Sequence, residues 1–324
     1  MTASVSLSVS ESLGAPIDAR ISAVGPVIID CDPGTDDAIA LWLALASPEI
    51  MVRAITVVGG NVGLSRTLAN ALAVVALTGA SVPVHAGAEK PLRGAFTAAP
   101  RVHGEDGLAG VHLPPGGAAA AGQAEAVIRA MLRASPEKLT VVGIGPATNL
   151  ALALRAAPDL AAKLAGIVLM SGARNGGNVS NMAEFNAWSD PEALDILLRA
   201  GCPITLAPLD LTHQALVTPA RLSRLRAAGG GKVLAAACDI LAALPPHPML
   251  PGRPLHDPCA IGWLLRPDLF TAFPARVSVV CDAHARGKTE IVPAAGVAAN
   301  ALVLETLAAD QFFAFLGERI SRLP

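Results

Sequence analysis

From residue 26 onward, short β-branched apolar runs alternate with longer Ala- and Leu-rich stretches of helical period. PVIID, DDAIALWLALAS, MVRAITVVGG and SRTLANALAVVALTG follow one another directly. After SVPV and HAG the rhythm resumes with QAEAVIRAMLRAS, KLTVVGIG, PATNLALALRAA, KLAGIVLMSG, PEALDILLRAG and CPITLAP. The succession predicts βαβ units, and hence an α/β protein with a mostly parallel central sheet flanked by helices, open and Rossmann-like. The last third is less regular, with helices expected near 232–244 and 256–265 and mixed strands near 275–303. No internal repeat and no strong linker interrupts the pattern. The expectation is therefore a loose tail over 1–24 and a single α/β domain over 25–324.

Composition acts mainly by exclusion. Apolar residues make up 52% of the 324, but their runs are too short and too interrupted to span a bilayer. A formal charge of -2 and the lack of a basic run argue against nucleic acid as a partner. The five cysteines, Cys31, Cys202, Cys238, Cys259 and Cys281, are odd in number and form no C-x-x-C pair. A reducing, cytoplasmic location is expected, and residues 1–24 lack the apolar core of a secretory signal.

Ligands of open α/β sheets bind beyond the carboxyl ends of the strands, and the loops expected there are polar. They read DCDPGTDD after the first strand, GGN at 59–61, GPATN at 145–149 and SGARNGGNVSNMAEFN at 171–186. In the first of them Asp30, Asp32, Asp36 and Asp37 fall within eight positions. A single Asp here would read as a helix cap. Four like charges behind a buried strand need a cation or shared protons. An EF-hand loop requires Glu at its twelfth position, yet counting from Asp30 or Asp32 reaches Leu41 or Leu43. A haloacid-dehalogenase-type, magnesium-dependent phosphatase resembles D-x-D-x-[TV], but Gly34 holds the fifth position and Thr35 comes one residue late. That reading remains a rival. Hard oxygen ligands from separate loops favour Ca²⁺ over zinc, which would want His or Cys.

DCDPGTDDA resembles the N-terminal signature of the inosine-uridine-preferring nucleoside hydrolases. The resemblance continues in order through GGN, VHGEDGL at 102–108, GPATN, GNVSNMAEFN at 177–186, LHDPCAI at 255–261 and RGKT at 286–289. It covers nearly everything from residue 26 onward, and a degenerate site of this kind would make the chain a non-catalytic nucleoside- or ribose-binding protein, a second rival. The resemblance implies a nucleoside hydrolase-like fold and calcium-dependent hydrolysis of the N-glycosidic bond of ribonucleosides in nucleoside salvage, by a homodimer or homotetramer.

By the same resemblance, Ca²⁺ is held by Asp32, Asp37, Asp257 and the backbone carbonyl of Thr148. Asp32 is also the general base on a calcium-bound water. Asp36, Asn61, Asn178, Glu184 and Asn186 would grip the sugar, with Glu184 and Asn186 on one face of an extended segment. Met170 would underlie the ribose, with Phe185 nearby. His256 and His103 are the candidates for protonating the leaving base. Asp30 is expected in a supporting role, fixing the loop and Asn61. Two departures stand out: Asn181 occupies a position where the family usually has Pro, and the chain has no Tyr. The segment before LHDP offers His247, Met249 and Arg253 in place of a covering tyrosine, which leaves the base preference open.

Overall fold

The apolar runs pair into a nine-stranded sheet in the computed structural model, which describes residues 25–324. The expected tail, 1–24, lies outside the described residues. In chain order the strands are β1 (Gly25–Cys31), β2 (Ile50–Val57), β3 (Val84–Ala86), β4 (Leu139–Gly143), β5 (Leu164–Met170), β6 (Ile204–Ala207), β7 (Leu216–Val217), β8 (Arg253–Pro254), β9 (Phe270–Val279), β10 (Thr289–Pro293) and β11 (Ala301–Leu307). The large sheet runs β10-β9-β11-β6-β5-β4-β1-β2-β3. Pairing is parallel from β3 across to β11, and only β9 runs against its neighbours. The irregular last third thus supplies the antiparallel edge. β7 and β8 form a separate two-residue ribbon that the sequence pattern does not reveal.

β1 is buried on both faces, as a central parallel strand must be. Val27, Ile29 and Cys31 enter one core with helix α1 (Thr35–Leu45), while Ile28 enters the other with the helices Ala124–Ala134 and Thr148–Ala156. The period of two puts Asp30 on the Ile28 face, toward the second of these helices. α1 is apolar around its whole circumference after TDD, and only Leu45 escapes full burial. Such a helix has to be covered on all sides. It is sandwiched among helices Leu64–Thr78, Lys232–Ala243, Pro258–Leu265 and Ala309–Ile320, and Trp42 donates to the Val74 carbonyl at 3.0 Å. Its fixed axis aims its first turn, with Asp36 and Asp37, at the end of β1.

Candidate active site

The order β3-β2-β1-β4-β5-β6 reverses direction between β1 and β4, and the crevice beyond their carboxyl ends is where such sheets bind ligands. Asp32 follows β1, Asn61 follows β2, Thr148 opens the helix after β4, and Met170 ends β5. His256 and Asp257 lead into the helix Pro258–Leu265, with Pro258 at its first position. A cavity of about 790 Å³ opens there. Asp36, Asn61, His103, Met170, Asn178, Glu184, Phe185, Asn186, His256 and Asp257 all line it. Asp32 and Asp37, both fully buried, lie beneath its floor.

The floor is built around the carboxylates. Asp37 Oδ1 accepts the Asp32 N–H at 3.1 Å, and its Oδ2 accepts the Gly34 N–H at 2.9 Å and Asn61 Nδ2 at 3.0 Å. Asp32 Oδ2 accepts the Asn61 N–H at 2.7 Å. Asp32 Oδ1 is buried and has no hydrogen-bond partner. Glycines make the room, since a Cβ at Gly145 would stand 2.6 Å from that same oxygen and a Cβ at Gly60 would fall on the other. Carboxylate oxygens of Asp36, Asp37 and Asp257 lie within 4.8 Å of one another. The sequence reading had Asp32 rather than Asp36 beside Asp37 and Asp257, and the structure brings all four to one place.

Among the described residues no lysine or arginine pairs with any of these acids. No positive charge opposes burial, and the hydrogen bonds to Asp32 and Asp37 offset it only in part. Burial pushes Asp37 up to about 7, with Asp36 adding repulsion. It raises Asp32 well above the usual carboxylate range, with Asp37 the next cause, and Asp257 likewise, with Asp36 and Asp37 adding. Hard, negative and partly unpartnered oxygens fit a divalent cation of the Ca²⁺ or Mg²⁺ kind.

Several residues behave differently from expectation. Asp30 does not touch Asn61: its Oδ1 accepts from Thr56 at 2.6 Å and from Asn149 at 2.8 Å, because β1 and β2 place Asp30 opposite Thr56. Asn61 is fixed by Asp32 and Asp37 instead. Glu184 and Asn186 do not share an extended segment, because Glu184 caps a short helix, Phe185–Ser189. Its carboxylate accepts backbone N–H groups of Asn186, Ala187 and Gly172 at 2.7–3.0 Å. Asn178, exposed, accepts the Phe185 N–H at 2.9 Å. The Thr148 hydroxyl donates to Asp190 at 2.7 Å.

Asn186 spends its amide hydrogens on the carbonyls of Ile144 and Met170, both at 3.0 Å. RGKT braces this loop. Thr289 Oγ1 donates to the Ala173 carbonyl at 2.6 Å, and Arg286 reaches Glu192 and the Ser189 carbonyl.

The two histidines are held neutral rather than poised near pH 7. His103 Nδ1 accepts the Thr35 N–H at 3.2 Å, and burial lowers its pKa. Burial pushes His256 down to about 4 despite Asp36 nearby, and its Nδ1 meets Thr212 Oγ1 at 2.8 Å. Sequence reasoning missed Thr212, His213, Asn70 and Asn149. Asn70, a polar residue on an apolar helix face, ties the carbonyls of Pro33 and Asp106 together at 3.0 and 2.9 Å. Asn149 stands inside the quoted GPATN, and Thr212 and His213 lie in an LTH stretch without a motif to mark it.

Comparison with known proteins identifies the family. The chain is 42% identical over 304 residues to the pyrimidine-specific ribonucleoside hydrolase RihA of Salmonella agona, covering 91% of this chain and 98% of that protein. The solved structure of a purine-preferring ribonucleoside hydrolase from Gardnerella vaginalis superposes with a TM-score of 0.84 at 32% identity, covering 92% of this chain and 98% of the other. A plant nucleoside hydrolase, PpNRh1, gives a TM-score of 0.84 at 32% identity, over 91% and 98% of the two chains. The family model described as inosine-uridine preferring nucleoside hydrolase matches residues 27–314, and the chain belongs to that family.

Proposed function

We propose that this ribonucleoside hydrolase works with a bound Ca²⁺ and uses Asp32 as its general base, releasing a free base and ribose in nucleoside salvage. The observation that carries the proposal is the buried, unpartnered Oδ1 of Asp32 beside Asp37 and Asp257. Asp32, Asp37, Asp257 and the Thr148 carbonyl would hold the ion. When bound, it would polarise water and offset the buried negative charge. Asp32 takes the proton of the attacking water. Asn61 and Asn186, with their amide hydrogens committed to the protein, offer Oδ1 acceptors to sugar hydroxyls alongside Asp36.

Because burial keeps His103 and His256 neutral, either would assist the leaving base by donating a hydrogen bond. The similarity to RihA favours pyrimidine ribonucleosides as substrates. A single domain over 25–324, a cytoplasmic location and a homodimer or homotetramer complete the proposal. The five unpaired cysteines support the location, and among the described residues no helix is long and apolar enough to cross a membrane. The deciding assay is a panel of nucleosides with Ca²⁺, with and without chelator, scored for free base and ribose. Phosphate release from esters without base release would favour the phosphatase.

Calcium should also stabilise the fold, and more so at higher pH. Asp37 and Asp30 titrate near 7 in the folded chain, against about 3.9 unfolded. Between roughly pH 4 and 7 the folded state therefore holds protons that the unfolded state has lost, and metal-free stability falls as pH rises. An ion at 100 times its Kd adds about 2.7 kcal/mol. The expected result is a calcium-induced rise in Tm of about 5 °C at pH 7.5 that shrinks toward pH 5. A shift of equal size at both pH values would contradict the buried-charge account.

Gly145→Ala tests the room around the base. Its Cβ would press on Asp32 Oδ1, and a displacement of this kind costs on the order of 10² in kcat/KM. Unchanged kinetics would show that the carboxylate tolerates the push.

A further inference from the structure

Three imidazoles climb from the carboxylate floor to the mouth of the cavity. His256 adjoins Asp257, His213 lies 5.8 Å from it centroid to centroid, and His247 lies 5.7 Å beyond, edge-on to His213. All three line the cavity. A ribose held on the acidic floor, as proposed above, would put its base at the level of these rings. His247 differs from the others in how it is held. It sits in the turn LPPHPML, where Pro245, Pro246 and Pro248 restrict the backbone. Its Nδ1 accepts two backbone N–H groups, from Met249 at 3.2 Å and Leu250 at 3.1 Å. Two N–H groups converging on one nitrogen leave no place for a proton there. The neutral ring therefore carries its hydrogen on Nε2, and among the described residues the hydrogen bonds of this ring all fall on Nδ1.

We propose that His247 is a specificity-determining residue, a preset Nε2–H donor to the carbonyl oxygen that neighbours the scissile nitrogen of a pyrimidine. This rests on the ribonucleoside reading above and deepens it. As the C1′–N1 bond breaks, its electron pair passes to the base and is shared by the O2 carbonyl. Water oxygen bonds to C1′, its proton goes to Asp32, and the base leaves neutral after taking up a proton that solvent exchanges with Asp32. A donor aimed at O2 strengthens as that charge grows, which is the condition for lowering the barrier rather than only binding substrate. Purines present the ring nitrogen N3 rather than a carbonyl at this position, and an azine nitrogen is the weaker acceptor, so the device favours pyrimidines.

Two variants and two substrates test it. His247→Asn keeps an acceptor for the Met249 and Leu250 N–H groups, so the turn survives, but does not reach the Nε2 position. His247→Phe keeps the packing on His213 without any hydrogen bond. Uridine is compared with p-nitrophenyl ribofuranoside, whose phenolate departs without a carbonyl beside the breaking bond. Both variants are expected to lose on the order of 10² in kcat/KM on uridine and to stay within about threefold of the parent on the phenyl riboside. Equal losses on both substrates, or an asparagine variant fully active on uridine, would overturn the proposal. A parent protein inert on both substrates would overturn the hydrolase reading beneath it.

Discussion

Replacing Asp32 by asparagine is expected to lower kcat on uridine by about 10³, within the range of a lost general base, and at the same time to raise the Tm of the metal-free protein. The opposite signs come from one cause. Asp32 is fully buried, its pKa is raised by burial and then by Asp37, and one of its oxygens has no partner. A neutral amide keeps an oxygen for the Asn61 N–H and turns its NH₂ toward the oxygens of the neighbouring acids. Repulsion among the acids is relieved, while the ability to accept a proton is lost. The variant should also lose most of the calcium-induced rise in Tm. Activity within about tenfold of the parent would place the base elsewhere. A lower Tm with activity lost would mean that the substitution had damaged the fold.

The strand-helix rhythm was legible because parallel strands buried on both faces are continuous apolar runs, as in PVIID and KLAGIVLMSG. Asp32, Asp36, Asp37 and Asp257 were legible as a group because DCDPGTDD and LHDP carry charge where an isolated core could not. Their partners were harder to read. Asp30 meets Thr56 and Asn149 across 26 and 119 residues, through the register of β1 on β2 and the seat of the following helix. No local pattern encodes such a register. Glu184 was misplaced because AEFN is too short to show helical period, and its carboxylate is also held by Gly172 from the far end of the same loop. The β7–β8 ribbon, two residues per strand, is below the reach of any alternation. His247 was visible in the sequence, but the direction of its donor comes only from the turn that holds it.

Uridine should exceed 2′-deoxyuridine in kcat/KM by about 10⁴. The acceptors on the cavity floor carry this expectation. Asn61 spends its Nδ2 on the Asp32 carbonyl and on Asp37, and Asn186 spends its own on Ile144 and Met170. Neither amide can rotate to offer hydrogens without breaking two buried bonds. With Asp36, which also accepts the His256 N–H at 3.3 Å, they line the cavity as acceptors that the hydroxyl hydrogens of a sugar would satisfy. A deoxy sugar leaves an acceptor closed off from water and unpaired, a loss felt fully only once the site has shut on substrate. The penalty should therefore fall on kcat as well as on KM. A floor that merely fitted the ribose by shape would lose a single hydroxyl's volume and little more. Comparable rates on the two nucleosides would remove the sugar grip from these residues, and an Asn186→Leu variant that still discriminated strongly would shift it to Asp36 and Asn61.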